Sequence, residues 1–244
     1  MQYHIVIPAR YQASRLPGKP LRILAGKTLL EHVYLRAAAA NATSVVIATD
    51  DERIAAEARL IGADAELTSP EHPSGSDRIA ECVRNRGWDG QDIVVNLQGD
   101  EPLMPSICLD QVAGLLDSHP NAAVASLWQA SDNEAEYLDP HVVKVVVNDQ
   151  AKAMYFSRAP IPHLSHHEAH MVKRHVGLYA YRVADLLELI ERPPSNLEIA
   201  ESLEQLRWLE AGKQIVMAAA KQPIPAGVDT EVDLQRVEKI LSEK

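Results

Sequence analysis

The chain is poor in the residues that would make it secreted, membrane-spanning or nucleic-acid-binding. It holds two cysteines, Cys82 and Cys108, in 244 residues. Both fall in helix-like stretches and need not meet, so no disulfide framework is expected, and two thiols cannot cage zinc. Positive charge is scarce: 24 Lys and Arg stand against 34 Asp and Glu, a formal net charge of -10. A nucleic-acid face needs a basic excess, which excludes that partner class. A nucleotide is not excluded, because a local cluster of cations can hold a triphosphate on an acidic surface. No apolar run approaches the roughly 18 residues that cross a bilayer, so no membrane partner is expected. The first residues carry neither a basic n-region nor an apolar h-region, and the expected location is cytoplasmic. The glycosylation sequon Asn41-Ala42-Thr43 is then idle. Internal repeats and low-complexity linkers are absent.

What is there is ordinary for a soluble α/β protein: 46% apolar and 24% charged residues, with length enough for one sizeable core. The run Ile5-Val6-Ile7 predicts a buried strand that stops at Pro8, which has no backbone donor. Helix 28–40, strand 44–49, helix 53–61, strand 63–67, a helix from Ser76 or Asp77 to Arg84, strand 92–97, helix 105–116 and strand 122–128 follow. Strands alternating with helices at this spacing mean βαβ units and a mostly parallel sheet. After Trp128 the rhythm breaks. Residues 142–147 and 153–157 read as a hairpin around Asn148-Asp149-Gln150, followed by a Pro- and His-rich loop and a strand at 175–181. Helix 184–191, a single helix 197–211 capped by Asn196 and closed by Gly212, strand 214–220 and helix 231–242 complete the chain. The expectation is one domain, 1–244, with 130–175 inserted as a lid or dimer interface.

The chemistry concentrates in four segments. Arg10, Arg15 and Lys19 lie within ten residues, at the end of the first strand, where open α/β sheets bind ligands. They suggest a small polyanion such as a nucleoside triphosphate; the bland alternative is a solvated connector. Ala25-Gly26-Lys27-Thr28 ends like a phosphate loop, but Leu21 stands where its first glycine is needed, and the strand is too distant. Side chains must therefore hold the phosphates, arginine through its planar fork and Lys19 as a compact charge. In Asn96-Leu97-Gln98-Gly99-Asp100-Glu101-Pro102, Gly99 permits close approach and the two acids sit where phosphate-bound magnesium would be coordinated; a turn and helix start explains the same residues. Asp229 in Gly227-Val228-Asp229-Thr230 is either an N-cap or a second ligand for a metal held by Asp100. Ser74, Gly75 and Ser76 offer donors at a helix N-terminus, suited to an anion or to simple capping. His163, His166, His167 and His170 lack cysteine or acidic company and read as a solvated loop. Nothing resembles a Ser-His-Asp or Cys-His pair that would form a covalent intermediate.

Taken in order, the segments Ile7–Leu21, His72–Glu81, Asn96–Pro102, Lys144–Pro162, Arg174–Arg182, Glu201–Gly212 and Gly227–Thr230 resemble the 3-deoxy-manno-octulosonate cytidylyltransferase (CMP-Kdo synthetase) family over nearly the whole chain. The resemblance implies an α/β, Rossmann-like nucleotidyltransferase fold, with a mostly parallel central sheet and an inserted β-hairpin that makes a homodimer. It implies that CTP and the eight-carbon sugar acid Kdo give CMP-Kdo and pyrophosphate, with Mg2+, for lipopolysaccharide inner-core synthesis. By motif, Pro8, Ala9, Arg10, Arg15, Lys19, Ser74, Gly75, Ser76 and Arg78 would bind CTP, and Asp100 and Asp229 the metal. Gln98, His175, Tyr179, Glu204 and Gln205 would line the sugar-acid site. Lys19, Arg15 and Asp100 would carry the catalysis. One departure stands out: family members commonly continue Pro162 with Trp-Asp-Arg-Asp, whereas this chain has His163-Leu164-Ser165-His166. That raises the 8-amino-8-deoxy sugar acid as an alternative substrate, against neutral drift in an exposed loop. A cytidylyltransferase for another acceptor conflicts with Glu204-Gln205-Leu206-Arg207 and the His175 strand. A non-catalytic nucleotide-binding module conflicts with the joint presence of Asp100, Asp229 and the loop cations.

Overall fold

β-branched runs build the centre of the molecule. In the computed structural model, which describes residues 1–12, 16–164 and 172–243, nine strands form one sheet. The strands in chain order are β1 (Tyr3–Ala9), the two-residue β2 (Ile23–Leu24) and β3 (Lys27–Thr28), β4 (Ser44–Thr49), β5 (Asp64–Leu67), β6 (Ile93–Asn96) and β7 (Val124–Ser131). Then come β8 (Lys144–Val147), β9 (Ala153–Ser157), β10 (Val172–Arg182) and β11 (Ile215–Ala219). The helices are α1 (Leu29–Ala38), α2 (Glu52–Leu60), α3 (Gly75–Arg86), α4 (Ser106–Asp117), α5 (Glu134–Leu138), α6 (Val183–Ile190), α7 (Asn196–Glu201), α8 (Gln205–Glu210) and α9 (Glu231–Ser242).

The sheet order is β11-β7-β10-β6-β1-β4-β5, with the β8–β9 hairpin joined to β10. Neighbours β6, β1, β4 and β5 are parallel, as are β11 and β7, while β10 runs antiparallel to both β6 and β7. The expected mostly parallel α/β sheet is therefore present. Both faces of β1 are covered: Ile5 and Ile7 enter one apolar core with Val33 and Leu109, and Val6 enters the other with Ile79 and Trp208. A strand buried on both faces needs a continuous apolar run rather than alternation, and Ile5-Val6-Ile7 supplies one.

Two expectations need correction. Strand β1 does not stop at Pro8 but runs to Ala9, with Pro8 opposite Ala48 and Ala9 opposite Thr49. The reason is directional. The Leu97 amide donates to the Val6 carbonyl, so the Val6 polar groups face β6, and Pro8, two residues on, faces the same side. Pairing with β6 ends at Val6, so no partner there requires the donor that Pro8 lacks. The single helix 197–211 is in fact two, broken at Ser202, whose φ is 52°. Ser195, not Asn196, is the N-cap, in a reciprocal capping box with Glu198. The Arg207 guanidinium forks onto Glu198, with both bonds 2.6 Å, and folds α8 back on α7. That break aims Glu204 at α3.

Candidate active site

Parallel strands bring their carboxyl ends to one edge. From β1 the chain moves to β4 on one side and later to β6 on the other, so the edge beyond β1 is the switch point where open sheets bind ligands. A cleft of about 230 Å³ lies there, lined by Pro8, Ala9, Arg10, Lys19, Ser74, Gly75, Arg78, Gln98, Asp100 and Asp229 among others. The three expected metal and catalytic positions within the described residues, Lys19, Asp100 and Asp229, are thus gathered from segments remote in sequence. Arg15 lies outside the described residues, as do His166, His167 and His170.

Glycine permits two close backbone approaches that shape this cleft. A Cβ on Gly99 would fall 2.9 Å from the Pro8 carbonyl, and one on Gly227 would fall 2.9 Å from the Asp100 carbonyl. The second approach is fixed by the Val228 amide, which donates to Asp100 O at 2.9 Å. Asp229 is thereby drawn to Asp100 across 128 intervening positions. Lys19 joins them: its Nζ donates to Asp100 Oδ2 at 2.8 Å, to the Val228 carbonyl at 2.8 Å and to Asp229 Oδ1 at 3.4 Å. The Lys19 side chain is 14% exposed and that of Asp229 54%, so the pair faces the cleft from a half-sheltered position. The helix reading of Asp229 is displaced, since Thr230 caps α9 in a box with Asp233.

The opposite wall is the start of α3. Ser74 is its N-cap and accepts from the Asp77 amide, and Gly75 lies against the Pro8 ring. Arg78 is buried, donating to Thr68 Oγ1 and paired with Asp50 at 3.2 Å. The Ser76 hydroxyl turns away from the cleft and donates to Glu204 Oε2 at 3.1 Å.

Gln98 connects the cleft to a second group. Its Nε2 donates to Asn96 Oδ1 at 3.2 Å, and Asn96 lies opposite Tyr179 in the β6–β10 pair. Around them runs a ladder of rings: Phe156 edge-on to His175 at 4.9 Å, His175 to Tyr179 at 5.3 Å, Tyr179 stacked on Tyr181 at 5.8 Å, and Tyr181 on Trp208 at 5.6 Å. Burial lowers the His175 pKa to about 3 and raises those of Tyr179 and Tyr181. Burial also raises that of Glu204, against the stabilising bond from Ser76. Gln205 is buried beside it. Of the five proposed sugar-acid residues, Gln98 alone lines the cleft described above; His175 and Tyr179 lie on β10, and Glu204 and Gln205 at the start of α8.

Magnesium fits the carboxylate pair. Among the described residues no set of three or more His, Cys, Asp or Glu could hold a metal. Magnesium does not need one, since it keeps several waters and takes one or two carboxylates with substrate phosphates. Glu101 Oε2 is buried there with no hydrogen-bond partner among the described residues. Burial first, and then the neighbouring Asp100 charge, pushes the Glu101 carboxyl up to about 8. A cation at this point would relieve that repulsion.

Several contributors were not legible in the sequence. Asp50-Asp51 reads as a helix start, and Asp51 is the N-cap of α2; that Asp50 instead pairs with Arg78 carries no local signal. Thr68 holds the same arginine, and Ser126 touches His175 from the neighbouring strand. Their only signal was a position at or inside a strand end, which does not name a partner.

A carboxyl-edge cleft with cations from the first loop facing paired carboxylates defines a nucleotide-binding α/β protein of the nucleotidyltransferase class. The family described as cytidylyltransferase matches residues 4–215. The chain is 49% identical, over 248 residues and 99% of both chains, to the 3-deoxy-manno-octulosonate cytidylyltransferase of Thioalkalivibrio sulfidiphilus. It is 45% identical to that of Cellvibrio japonicus, over 99% of this chain and 98% of the relative. The solved structure of CMP:2-keto-3-deoxy-manno-octonic acid synthetase complexed with CTP matches with a TM-score of 0.94 and 40% identity, over 100% of this chain and 99% of that one. The chain belongs to the 3-deoxy-manno-octulosonate cytidylyltransferase family. A cytidylyltransferase from Leptospira borgpetersenii, 15% identical with a TM-score of 0.66, shares the fold.

Proposed function

We propose that this chain transfers the cytidylyl group of CTP to Kdo and releases pyrophosphate, supplying an activated sugar acid for lipopolysaccharide assembly. The observation that carries the reading is the meeting of Lys19, Asp100 and Asp229 in one cleft, in a chain 40% identical to a CTP-complexed synthetase. The cytosine and ribose would lie between the Pro8–Arg10 segment and the start of α3, with Ser74, Gly75, Ser76 and the clamped Arg78 shaping that end. Arg10, Arg15 and Lys19 would hold the triphosphate. Asp100 and Asp229 would hold magnesium, which when bound supplies charge neutralisation for the phosphates. Gln98, His175, Tyr179, Glu204 and Gln205 would orient the sugar acid so that its anomeric oxygen faces the α-phosphorus. A new P–O bond forms as the bond to the β-phosphate breaks. Such transfers depend mainly on positioning and on neutralising charge, which is what a cleft of cations and rigid backbone offers. Lys19 and Arg15 would neutralise the departing pyrophosphate. The hairpin and its loop would form a homodimer interface, and the protein would work in the cytoplasm.

Pyrophosphate release from CTP with a panel of sugar acids, with and without magnesium, tests the reading. Magnesium-dependent release with Kdo is expected. Absence of release with every sugar acid in the folded protein would favour the non-catalytic nucleotide-binding alternative. The His163-Leu164-Ser165-His166 sequence favours including the 8-amino analogue in the panel.

A further inference from the structure

The hydrogen bonds around Ser126 decide which face of His175 can meet a substrate. Ser126 is fully buried on β7, beneath β10. The β7–β10 ladder slips between Val176 and Tyr179, and at this slip the Ser126 hydroxyl donates to the Val176 carbonyl at 3.1 Å. The same oxygen lies 3.1 Å from His175 Nε2. A hydroxyl has one proton, and a carbonyl can only accept. If that proton turned to Nε2, the Ser126 lone pairs would face the Val176 oxygen at hydrogen-bond distance, two acceptors opposed beside a fully buried side chain. Leaving a buried acceptor unmatched is the costlier arrangement. The consistent network therefore runs in one direction: His175 Nε2–H to Ser126 Oγ, and Ser126 O–H to Val176 O.

Two further facts give this direction a consequence. Burial keeps the imidazole uncharged at neutral pH, with its pKa lowered to about 3, so the only remaining choice is between the two neutral tautomers. His175 is only partly buried as a residue, and its ring lies beside Tyr179, which pairs with Asn96 and through it with Gln98 at the cleft. Among the described residues nothing donates to or accepts from Nδ1.

We infer that Ser126 is a positioning residue that locks His175 as the neutral Nε2–H tautomer, so that Nδ1 presents a fixed lone pair to a hydroxyl of the sugar acid. This rests on the reading that His175 lines the sugar-acid site. Without the lock, the ring would populate the Nδ1–H form, which offers the hydroxyl a donor in place of an acceptor and discriminates less well against acceptors lacking that hydroxyl.

The test couples a spectroscopic and a kinetic readout on the full chain. In 15N-histidine-labelled wild type, two-bond 15N–1H correlations should show His175 protonated at Nε2 and bare at Nδ1. Ser126→Ala should yield a mixture of tautomers and raise KM for the sugar acid on the order of fivefold to tenfold, with KM for CTP changed by less than about twofold. Ser126→Thr, which keeps the hydroxyl on a β-branched residue, should restore both signals, and thermal melts identify any variant that fails to fold. An Nδ1–H signal in wild type overturns the proposal, as does an unchanged tautomer and sugar KM in folded Ser126→Ala. If the tautomer shifts as expected but His175→Ala leaves the sugar KM intact, the assignment of His175 to the sugar-acid site fails while the hydrogen-bond network stands.

Discussion

The two walls of the site are built on opposite principles. The cleft side is charged, loop-borne and assembled from remote segments: Arg10 and Lys19 from the chain after β1, Asp100 after β6, Asp229 before α9. The β10 side is aromatic, strand-borne and buried, with His175, Tyr179 and Tyr181 projecting from one strand between Phe156 and Trp208. The contrast extends to two lysines. Lys19 donates to two carboxylates at the cleft, contacts that a phosphate or a metal can exchange. Lys144, at the start of the hairpin, is fully buried and donates to three backbone carbonyls, of Asp139, Val142 and Arg158, at 2.8, 2.6 and 2.7 Å. Every proton of its ammonium is spent on holding the hairpin and its flanking loops together. Charge at the surface of a cleft stays open to a ligand; the same charge sealed inside serves the fold.

Four predictions bear on this contrast. Asp100→Asn should reduce turnover on the order of 10² to 10³-fold, the several kcal/mol that metal-assisted charge stabilisation supplies, with little loss of stability. Near-normal turnover in the folded variant would remove the metal assignment and with it the division of labour between the walls. Lys144→Met should do the reverse, lowering unfolding free energy by about 3 kcal/mol through three stranded carbonyls, as read from urea denaturation, while refolded enzyme keeps its KM for CTP. His175→Ala should raise KM for the sugar acid by about fivefold to tenfold and leave that for CTP unchanged, separating the walls kinetically. An equal effect on both substrates would show that the two walls are not independent.

The smallest effect concerns pH. The His175 pKa falls from 6.5 to about 3 on burial, so between those values the unfolded chain binds more protons than the folded one. Stability then rises with pH through that window and is lost as pH falls below the unfolded value. The wild-type urea midpoint should therefore drop more between about pH 7 and pH 5 than that of His175→Gln. Parallel curves for the two proteins would show that the ring is not held neutral.

Much of the architecture was legible because it follows from local pattern. Strand β4, the β9 arm of the hairpin and helix α9 fall where periodicity puts them, since each is an apolar run bounded by turn or cap residues. The two departures from local pattern, at Pro8 and at Ser202, have a common origin. Pro8 lacks a backbone donor, but the partner strand on that side has already ended. Residues 197–211 have a helical composition throughout, but the Arg207–Glu198 fork and the left-handed Ser202 fold the segment in two. In each case a contact formed at long range, or across a turn, outweighed a local propensity.

The site divides along the same line. Residue chemistry alone makes Arg10, Lys19, Asp100 and Asp229 candidates for phosphate and a hard cation, beside connector, turn and N-cap readings, because such cations and carboxylates near Pro and Gly turns are visible one segment at a time. Their meeting, and the orientation of His175 by Ser126, required the sheet. Parallel strands deliver their ends to one edge whatever their separation in sequence, and a cross-strand hydroxyl is a neighbour only after pairing has brought it there.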